Sequence, residues 1–391
     1  MCLALSYYDY GAGSRNGRWR YILAVFVFIV FLVMGGLLAS NYRNVGNLVK
    51  VVSLVRTQYL YPVSSTQLMD GAIKGLVNSL SDPYSVYLDP KTFSHLQEQI
   101  RGSFGGLGIL VGVKEQYLTV VRAYQGTPAA REGIREGDVI ARIDDRDAKG
   151  IDLDTAINLM RGPVGSKVNL GINRQGVPEQ LQFTLTREEI SVPTVEGRAL
   201  EGNSIEHIVI SQFTERTADE IKEVLAKVKT EKIKGIILDL RDNPGGELNS
   251  AVEVAKNFIP KGPIVYIDNR VGREQVYESE GKTIQLPFVV LINGGSASAA
   301  EILAGAVKDT GAGVLVGTKT FGKGIVQTVF RLDGGAGLKL TTARYLTPAK
   351  NDIHEKGIQP DILVQSQDDR LHDVQLDKAV EILKEKIAIA G

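Results

Sequence analysis

The chain has 391 residues, of which 43% are hydrophobic and 23% charged, a composition typical of folded globular proteins. At roughly 150 residues per domain, this length predicts two to three domains. The 45 basic residues balance the 45 acidic ones, so there is no net field that would attract nucleic acid. The single cysteine excludes a disulfide framework, and the four scattered histidines show no metal-ligand spacing, so we expect a protein without a bound metal.

The first predicted element is an uncharged apolar segment between Tyr21 and Asn41. About 20 such residues are enough to cross a bilayer as a helix. Three arginines closely precede it, which favours a short cytoplasmic tail at residues 1–18 and an extracytoplasmic body. A cleaved signal peptide is the alternative, but its apolar part usually spans only roughly 7–15 residues. We therefore predict a single-pass signal anchor at residues 19–40, with the body in a periplasm or on the cell-wall side of the membrane.

Residues 41–100 follow as an N-terminal helical region, because their apolar side chains recur at three- and four-residue spacing. Such helices pack either within the chain or against a second copy, so a homo-oligomer is one expectation. Within this region the segment Ser81–Pro90 (SDPYSVYLDP) is predicted to be a turn.

Residues 101–187 contain short strands with one or two helices, which predicts a compact β-rich module. Its first strand follows the glycines of FGGLGILVG (Phe104–Gly112). A loop of this kind can form a backbone nest for a carboxylate beside a strand edge that accepts a peptide. A dinucleotide-binding fingerprint is excluded, since it would need glycine where Val111 stands and a helix after it.

Residues 188–370 alternate apolar strands with amphipathic helices, which predicts an α/β core with a parallel or mixed sheet. Thr217 and Glu220 form a capping-box pattern at the start of the first helix. Residues 371–391 are predicted to be a C-terminal helix. The predicted strands are Ile205–Ser211, Gly235–Leu240, Ile264–Asp268, Phe288–Asn293 and Val314–Gly317.

The segment INGGSASAAEILAGAVKD (Ile292–Asp309) is a predicted strand–turn–helix that places serines at a helix N-terminus. Unpaired backbone N–H groups and the helix dipole favour a developing oxyanion there, as acyl transfer requires. Either Ser296 or Ser298 is a candidate nucleophile. The alternative is that both serines only cap the helix.

A second segment, GTKTFGKGIVQ (Gly317–Gln327), nearly matches a phosphate-binding loop, but glycine occupies position 324, where a magnesium-binding hydroxyl would be needed. Lys323 and Gln327 lie four residues apart and share a face if this segment is a strand. A poorly hydrated lysine is easily deprotonated, and it can then take a proton from a serine. A surface loop lysine is the alternative.

A third segment, LDLRDNPGGELNSA (Leu238–Ala251), joins a strand to a helix through Gly245 and Gly246. Two glycines let the backbone approach a ligand closely and direct N–H groups at it, although the same residues also form ordinary turns. A conventional Ser-His-Asp hydrolase is disfavoured, because no G-x-S-x-G elbow surrounds either serine.

Together these segments resemble a known family, the carboxyl-terminal processing peptidases or tail-specific proteases. The similarity covers most of the chain after the apolar segment, with its motifs in a fixed order. A departure is Ala300, where many members have serine in SASASE. The motifs are DPYSVYL, GLGI, EGDVIARID, ILDLRDNPGG, VLINGGSASAAEILAGAVKD, GTKTFGKGIVQ and IHEKGIQPDILV.

The resemblance implies a serine endopeptidase of the crotonase and Clp-protease fold type, with a PDZ domain that engages substrate carboxyl termini. It assigns Ser298 as nucleophile, Lys323 as base and Gln327 as their support. It further implies backbone oxyanion donors and a peptide-binding loop in the PDZ domain, and it requires no cofactor. The oxyanion donors are Ala299 and either Gly245 or Gly246, and the loop residues are Gly106, Leu107, Gly108 and Ile109.

The predicted function is thus a membrane-anchored, extracytoplasmic carboxyl-terminal processing protease that acts on protein tails. The alternative is a catalytically inactive, membrane-tethered PDZ adaptor.

Overall fold

The computed structural model describes residues 25, 43–200, 202, 204–270, 272, 274–365 and 372–390. The predicted anchor at residues 19–40 lies outside the described residues except for Val25. None of the described helices combines the length and the apolar character that a bilayer-spanning helix needs.

The chain divides into two compact units, Met1–Ser79 and Leu80–Gly391. The described part of the first unit consists of helix α1 (residues 43–58) and helix α2 (Ser65–Asn78). Ser64 caps α2, since its side chain accepts a hydrogen bond from Gln67 N.

The second unit begins with strand β1 (Val86–Leu88) and helix α3 (Pro90–Arg101). Strand β1 lies inside the segment that the sequence predicted to be a turn only. Three residues are too few to show a strand pattern, and they become a strand because they pair with a distant strand, Gly337–Leu346.

Residues 103–191 form the β-rich module, with a core of its own. An antiparallel sheet has the order β3-β4-β5-β7-β8, with β6 beside β5, while β2 and β9 form a separate pair. The elements are β2 (Ser103–Gly106), β3 (Ile109–Lys114), β4 (Tyr117–Ala123), α4 (Pro128–Arg131), β5 (Val139–Ile143), β6 (Arg146–Asp147), α5 (Leu153–Met160), β7 (Lys167–Asn173), β8 (Leu181–Thr186) and β9 (Glu188–Ser191).

The remaining chain forms an α/β core with two sheets. The first has the order β10-β11-β12-β15-β16-β19 and is parallel from β11 to β19. Its elements, with those of the second sheet, are β10 (Val195–Leu200), β11 (Ile205–Ile210), α6 (Thr217–Thr230), β12 (Gly235–Asp239), α7 (Leu248–Ala255), β13 (Gly262–Asn269), β14 (Gln275–Ser279), β15 (Phe288–Ile292), α8 (Ala299–Thr310), β16 (Val314–Gly317), β17 (Ile325–Arg331), β18 (Gly337–Leu346), β19 (Ile362–Leu363) and α9 (Val374–Ala390).

Helices cover both faces of the parallel sheet. Ile236 and Leu238 of β12 belong to the core that includes α6, α7 and α8, whereas Ile237 belongs to the core that includes α9. Alternate residues of the same strand are therefore buried on opposite faces, which explains why the strands read as continuous apolar runs. The mixed α/β fold confirms the predicted class.

Two expectations about the core were wrong. The predicted strand Ile264–Asp268 does form, as part of β13, but it belongs to the second, antiparallel sheet with β14 and β18 rather than to the parallel one. The capping box of α6 is also absent: Thr217 is the first helical residue, and the carboxylate of Glu220 instead accepts from Thr194 N (2.7 Å).

Candidate active site

The three glycine-rich segments follow neighbouring strands of the parallel sheet. Strands β12, β15 and β16 lie side by side, and one of these segments begins at the carboxyl end of each strand. Because the carboxyl ends of parallel strands meet at one sheet edge, the segments lie together there. Hydrogen bonds join them, from Ala297 N to Asn243 O (2.9 Å) and from Phe321 N to Ser296 O (3.0 Å).

Ser298 occupies a strained position at the start of α8. Its φ of 54° and ψ of −116° form a backbone conformation that non-glycine residues rarely adopt. Such strain persists only where surrounding contacts enforce it, and it is concentrated at functional sites. Here the Ser298 N–H donates to the Glu301 carboxylate (2.9 Å).

Ser296, the other serine candidate, has a structural role. Its buried hydroxyl donates to Leu240 O (2.7 Å) and accepts from Asn293 N (3.0 Å). These bonds hold the turn against β12, whereas Ser298 faces a cavity. Ser298 is therefore the only one of the two in a position to meet a substrate.

Gly245 and Gly246 bring the turn after β12 against the start of α8. A methyl group on Gly245, whose φ is +95°, would lie 2.8 Å from Ser298 Cβ and from Ala299 N. The Gly245 N–H donates to Asn243 Oδ1 (2.8 Å) and is thus not available to a ligand, which corrects its assignment as a possible oxyanion donor. In the part of the chain that the structure describes, the N–H groups of Gly246 and Ala299 have no hydrogen-bond partner.

Lys323 and Gln327 line the same cavity as Ser298, together with Ala299, Gly245 and Gly246. The cavity has a volume of about 750 Å³. Within the described residues no hydrogen bond joins Ser298 Oγ to Lys323 Nζ; the Lys323 ammonium lies 4.9 Å from the centre of the Tyr84 ring. Gln327, on β17, makes a long hydrogen bond from Nε2 to Ile325 O (3.4 Å).

The environment of Lys323 makes it easier for the amine to lose its proton than for an exposed lysine. Partial burial lowers the pKa of Lys323, the nearby Lys339 ammonium lowers it further, and the Glu301 carboxylate opposes both effects. An amine with a lowered pKa is suited to accept a proton from a hydroxyl group.

Glu301 is the site residue that the sequence interpretation missed. Its fully buried carboxylate accepts from Thr320 Oγ1 (2.6 Å) and from the backbone N–H groups of Ser298 (2.9 Å), Gly322 (2.8 Å) and Lys323 (2.8 Å). It therefore links the segment that carries Ser298 to the segment that carries Lys323. The available signal was an acidic residue three positions after Ser298, followed by the apolar run ILAGAV.

Tyr345 of β18 joins the same two segments from another side. Its buried hydroxyl lies 2.9 Å from Ser298 O and 2.5 Å from Lys323 O, and these two carbonyls share its single proton. Burial, followed by the Glu301 carboxylate, raises the pKa of Tyr345 well above its usual value, so the phenol keeps its proton and remains a donor.

The predicted peptide-binding loop lies in the β-rich module and does not line the Ser298 cavity. Gly106 ends β2, Leu107 is buried, and Gly108 has a φ of 73° before β3 begins at Ile109. Strand β3 is an edge strand of its sheet, with α5 packed near it. An edge strand beside a helix can accept an extended peptide.

Comparison with known proteins finds family matches along most of the chain. The profile of peptidase family S41 matches residues 204–364, that of a PDZ domain residues 119–174, and that of the activating protease CtpB N-terminal domain residues 38–92. A carboxy-terminal-processing protease of Bartonella bacilliformis is 39% identical over 360 residues, which cover 88% of this chain and 82% of that protein. The carboxy-terminal processing protease CtpB of Bacillus subtilis is 37% identical over 323 residues, covering 82% and 67%.

Among solved structures, the photosystem II D1 C-terminal processing protease superposes with a TM-score of 0.50 at 29% identity, covering 84% of this chain and 89% of that one. These similarities define a serine-type peptidase with a PDZ domain. The chain belongs to peptidase family S41, and within it to the carboxy-terminal processing peptidases.

Proposed function

We propose that this chain is a membrane-anchored, extracytoplasmic endopeptidase that engages protein carboxyl tails through its PDZ domain and cleaves them with a Ser298–Lys323 dyad supported by Gln327. The observation that carries the proposal is that Ser298, the half-buried Lys323, Gly246 and Ala299 line one cavity, and that the N–H groups of the last two have no hydrogen-bond partner among the described residues. This set contains the parts that acyl transfer needs: a nucleophile, a base and oxyanion donors.

In the proposed reaction, the uncharged amine of Lys323 takes the proton of the Ser298 hydroxyl, and the oxygen attacks a peptide carbonyl. The N–H groups of Gly246 and Ala299 bind the resulting oxyanion, and collapse releases the first product with the proton from Lys323. Water then loses a proton to Lys323 and attacks the acyl-enzyme carbonyl; the ester bond to Ser298 Oγ breaks, and Lys323 returns the proton to that oxygen. For the first step the Lys323 side chain rotates from the Tyr84 ring towards Ser298.

The dyad is tested with Ser298→Ala, Lys323→Ala and Lys323→Arg. We expect each to lower kcat/KM on a quenched fluorescent peptide by about a thousandfold or more, because nucleophile and base act as a unit. Lys323→Arg fails because a guanidinium group does not give up its proton. Unchanged thermal unfolding serves as the control, and labelling by a fluorophosphonate reports Ser298 directly. Substantial cleavage by a folded variant of either residue would contradict the dyad.

The anchor and the compartment rest on the apolar segment between Tyr21 and Asn41 and on the arginines before it. We expect the full chain to stay in the membrane fraction after a carbonate wash, and a chain starting at residue 42 to be released. When the outer layer of the cells is permeabilised and the cytoplasmic membrane is left intact, an added protease should digest the part of the chain that follows the anchor. Full protection of the body would overturn the proposed orientation.

Self-association is supported by the apolar side chains that α1 and α2 leave exposed, among them Leu48 (56% exposed) and Leu76 (70% exposed). A sedimentation experiment showing a monomer at all concentrations would contradict it.

A further inference from the structure

The cavity at Ser298 holds a second lysine that the proposed reaction does not use. Among the described residues that line it, Lys323 and Lys339 are the basic side chains, and Lys339 has no ion-pair partner in the described part of the chain. A lone cation inside a catalytic cavity acts on the other charges there, because the protein interior screens them less than water does.

The position of Lys339 is fixed by strand pairing on both sides. Lys339 belongs to β18, which lies between β1 and β17. It pairs with Val86 of β1 on one side and with Val329 of β17 on the other. Gln327 pairs with Thr341, two residues further along β18. Because side chains alternate between the faces of a sheet, Lys339 shares a face with Gln327 and is its diagonal neighbour.

Ionisable groups approach Lys323 from every element packed around it. Glu301 of α8 holds the Lys323 backbone N–H (2.8 Å), and its negative charge attracts a proton to the amine. Tyr84 and Tyr345 contact the same segment, and Asp82, which accepts a hydrogen bond from Ser85, lies two residues before Tyr84. Glu215, Glu247 and Tyr277 also line the cavity. Behind the segment, Gly324 packs on the backbone of His354, and Glu355 N donates to Gly322 O (2.8 Å). Among the described residues that line the cavity, Lys339 is the cation that opposes the effect of the Glu301 charge on Lys323.

The following inference rests on the proposed Ser298–Lys323 dyad. We propose that Lys339 is a positioning residue that acts through Lys323: repulsion between the two ammonium groups disfavours the protonated amine and keeps Lys323 ready to accept the Ser298 proton. Lys339 thereby sets the lower end of the pH range in which the enzyme works. The lowering of the Lys323 pKa by partial burial and then by Lys339 agrees with this role.

The test measures kcat/KM of the full chain against pH, on a quenched fluorescent peptide with a free carboxyl terminus that the wild type cleaves. Without the Lys339 charge, Lys323 stays protonated to higher pH. We therefore expect Lys339→Met to lower kcat/KM about three- to tenfold on the acid limb and to approach the wild type within about twofold at the alkaline end. Lys339→Arg keeps the charge and should keep the wild-type profile.

Two further variants make the experiment decisive. Lys282→Met removes the same charge from an exposed site outside the cavity and should not move the profile. Lys339→Gln replaces Lys339→Met if the latter lowers the unfolding temperature.

An equal loss at every pH, or a raised KM with an unmoved profile, would overturn the inference; the second result would mean that Lys339 binds an acidic group of the substrate. These results are distinct from a failure of the dyad, which would appear as cleavage by Ser298→Ala or Lys323→Ala.

Discussion

Two walls of the proposed catalytic cavity differ in how firmly they hold their reactive groups. The nucleophile wall is the start of α8 around Ser298, and the lysine wall is the segment Gly317–Gln327 that carries Lys323. On the nucleophile wall, Ser298 is fixed by its strained backbone, by the contact with Gly245 and by the hydrogen bond to Glu301. On the lysine wall the backbone N–H of Lys323 also donates to Glu301, but the amine lies at the end of a half-buried flexible side chain beside Tyr84.

This difference indicates where the reaction can be controlled. A short serine side chain on a fixed backbone has few positions available, whereas the four-carbon stem of lysine can place its amine near Tyr84 or near Ser298. In the proposed mechanism the chemical step therefore depends on the rotamer and the charge of Lys323. Glu301 and Tyr345 contact both walls, and substitutions at these residues test the comparison.

The largest effect is expected from Glu301→Ala, because it leaves the N–H groups of Ser298, Gly322 and Lys323 without their acceptor. We expect a loss of about 3–5 kcal/mol in the free energy of unfolding, measured by chemical denaturation, and a loss of kcat/KM of about a hundredfold or more. Glu301→Gln retains an acceptor oxygen for only one of the two pairs of donors, so an intermediate loss is expected. A fully active, fully stable alanine variant would show that the walls are held independently.

A smaller effect is expected from Tyr345→Phe, which removes one hydroxyl and leaves the carbonyls of Ser298 and Lys323 without this donor. We expect a cost of about 1–2 kcal/mol in unfolding free energy and a several-fold lower kcat. Tyr277→Phe is the matched control, since this hydroxyl lines the same cavity and makes no hydrogen bond among the described residues. If the two variants behave alike, Tyr345 does not join the walls.

Sequence patterns predicted the parallel sheet well because its strands are buried on both faces and so read as unbroken apolar runs. The order β12-β15-β16 could not be read from them, yet it is this order that assembles the three glycine-rich segments. Strand β13 was assigned to the wrong sheet because a short apolar run reports burial and not the partner strand. Strand β1 was missed because three residues show no periodicity.

The site, too, could be predicted from local sequence patterns but not where it depends on contacts between distant segments. Short motifs and the family resemblance predicted Ser298, Lys323 and Gln327, and the structure places all three along one cavity. Whether Gly245 or Gly246 can donate to an oxyanion depends on which of the two N–H groups binds Asn243. That depends on the local backbone angles, which the sequence pattern does not reveal. Glu301 was overlooked because its partners are mainly backbone N–H groups, which leave no mark in a sequence.

The pairing of β2 with β9 brings the entry and the exit of the PDZ-containing module side by side, from Ser103 opposite Ser191 to Gly106 opposite Glu188. A segment whose two ends meet in this way can be exchanged as a cassette without pulling the flanking chain apart. The same peptidase body can therefore carry a different recognition module between these two strands, and evolution or protein engineering can change which polypeptides are selected while the hydrolytic apparatus stays the same.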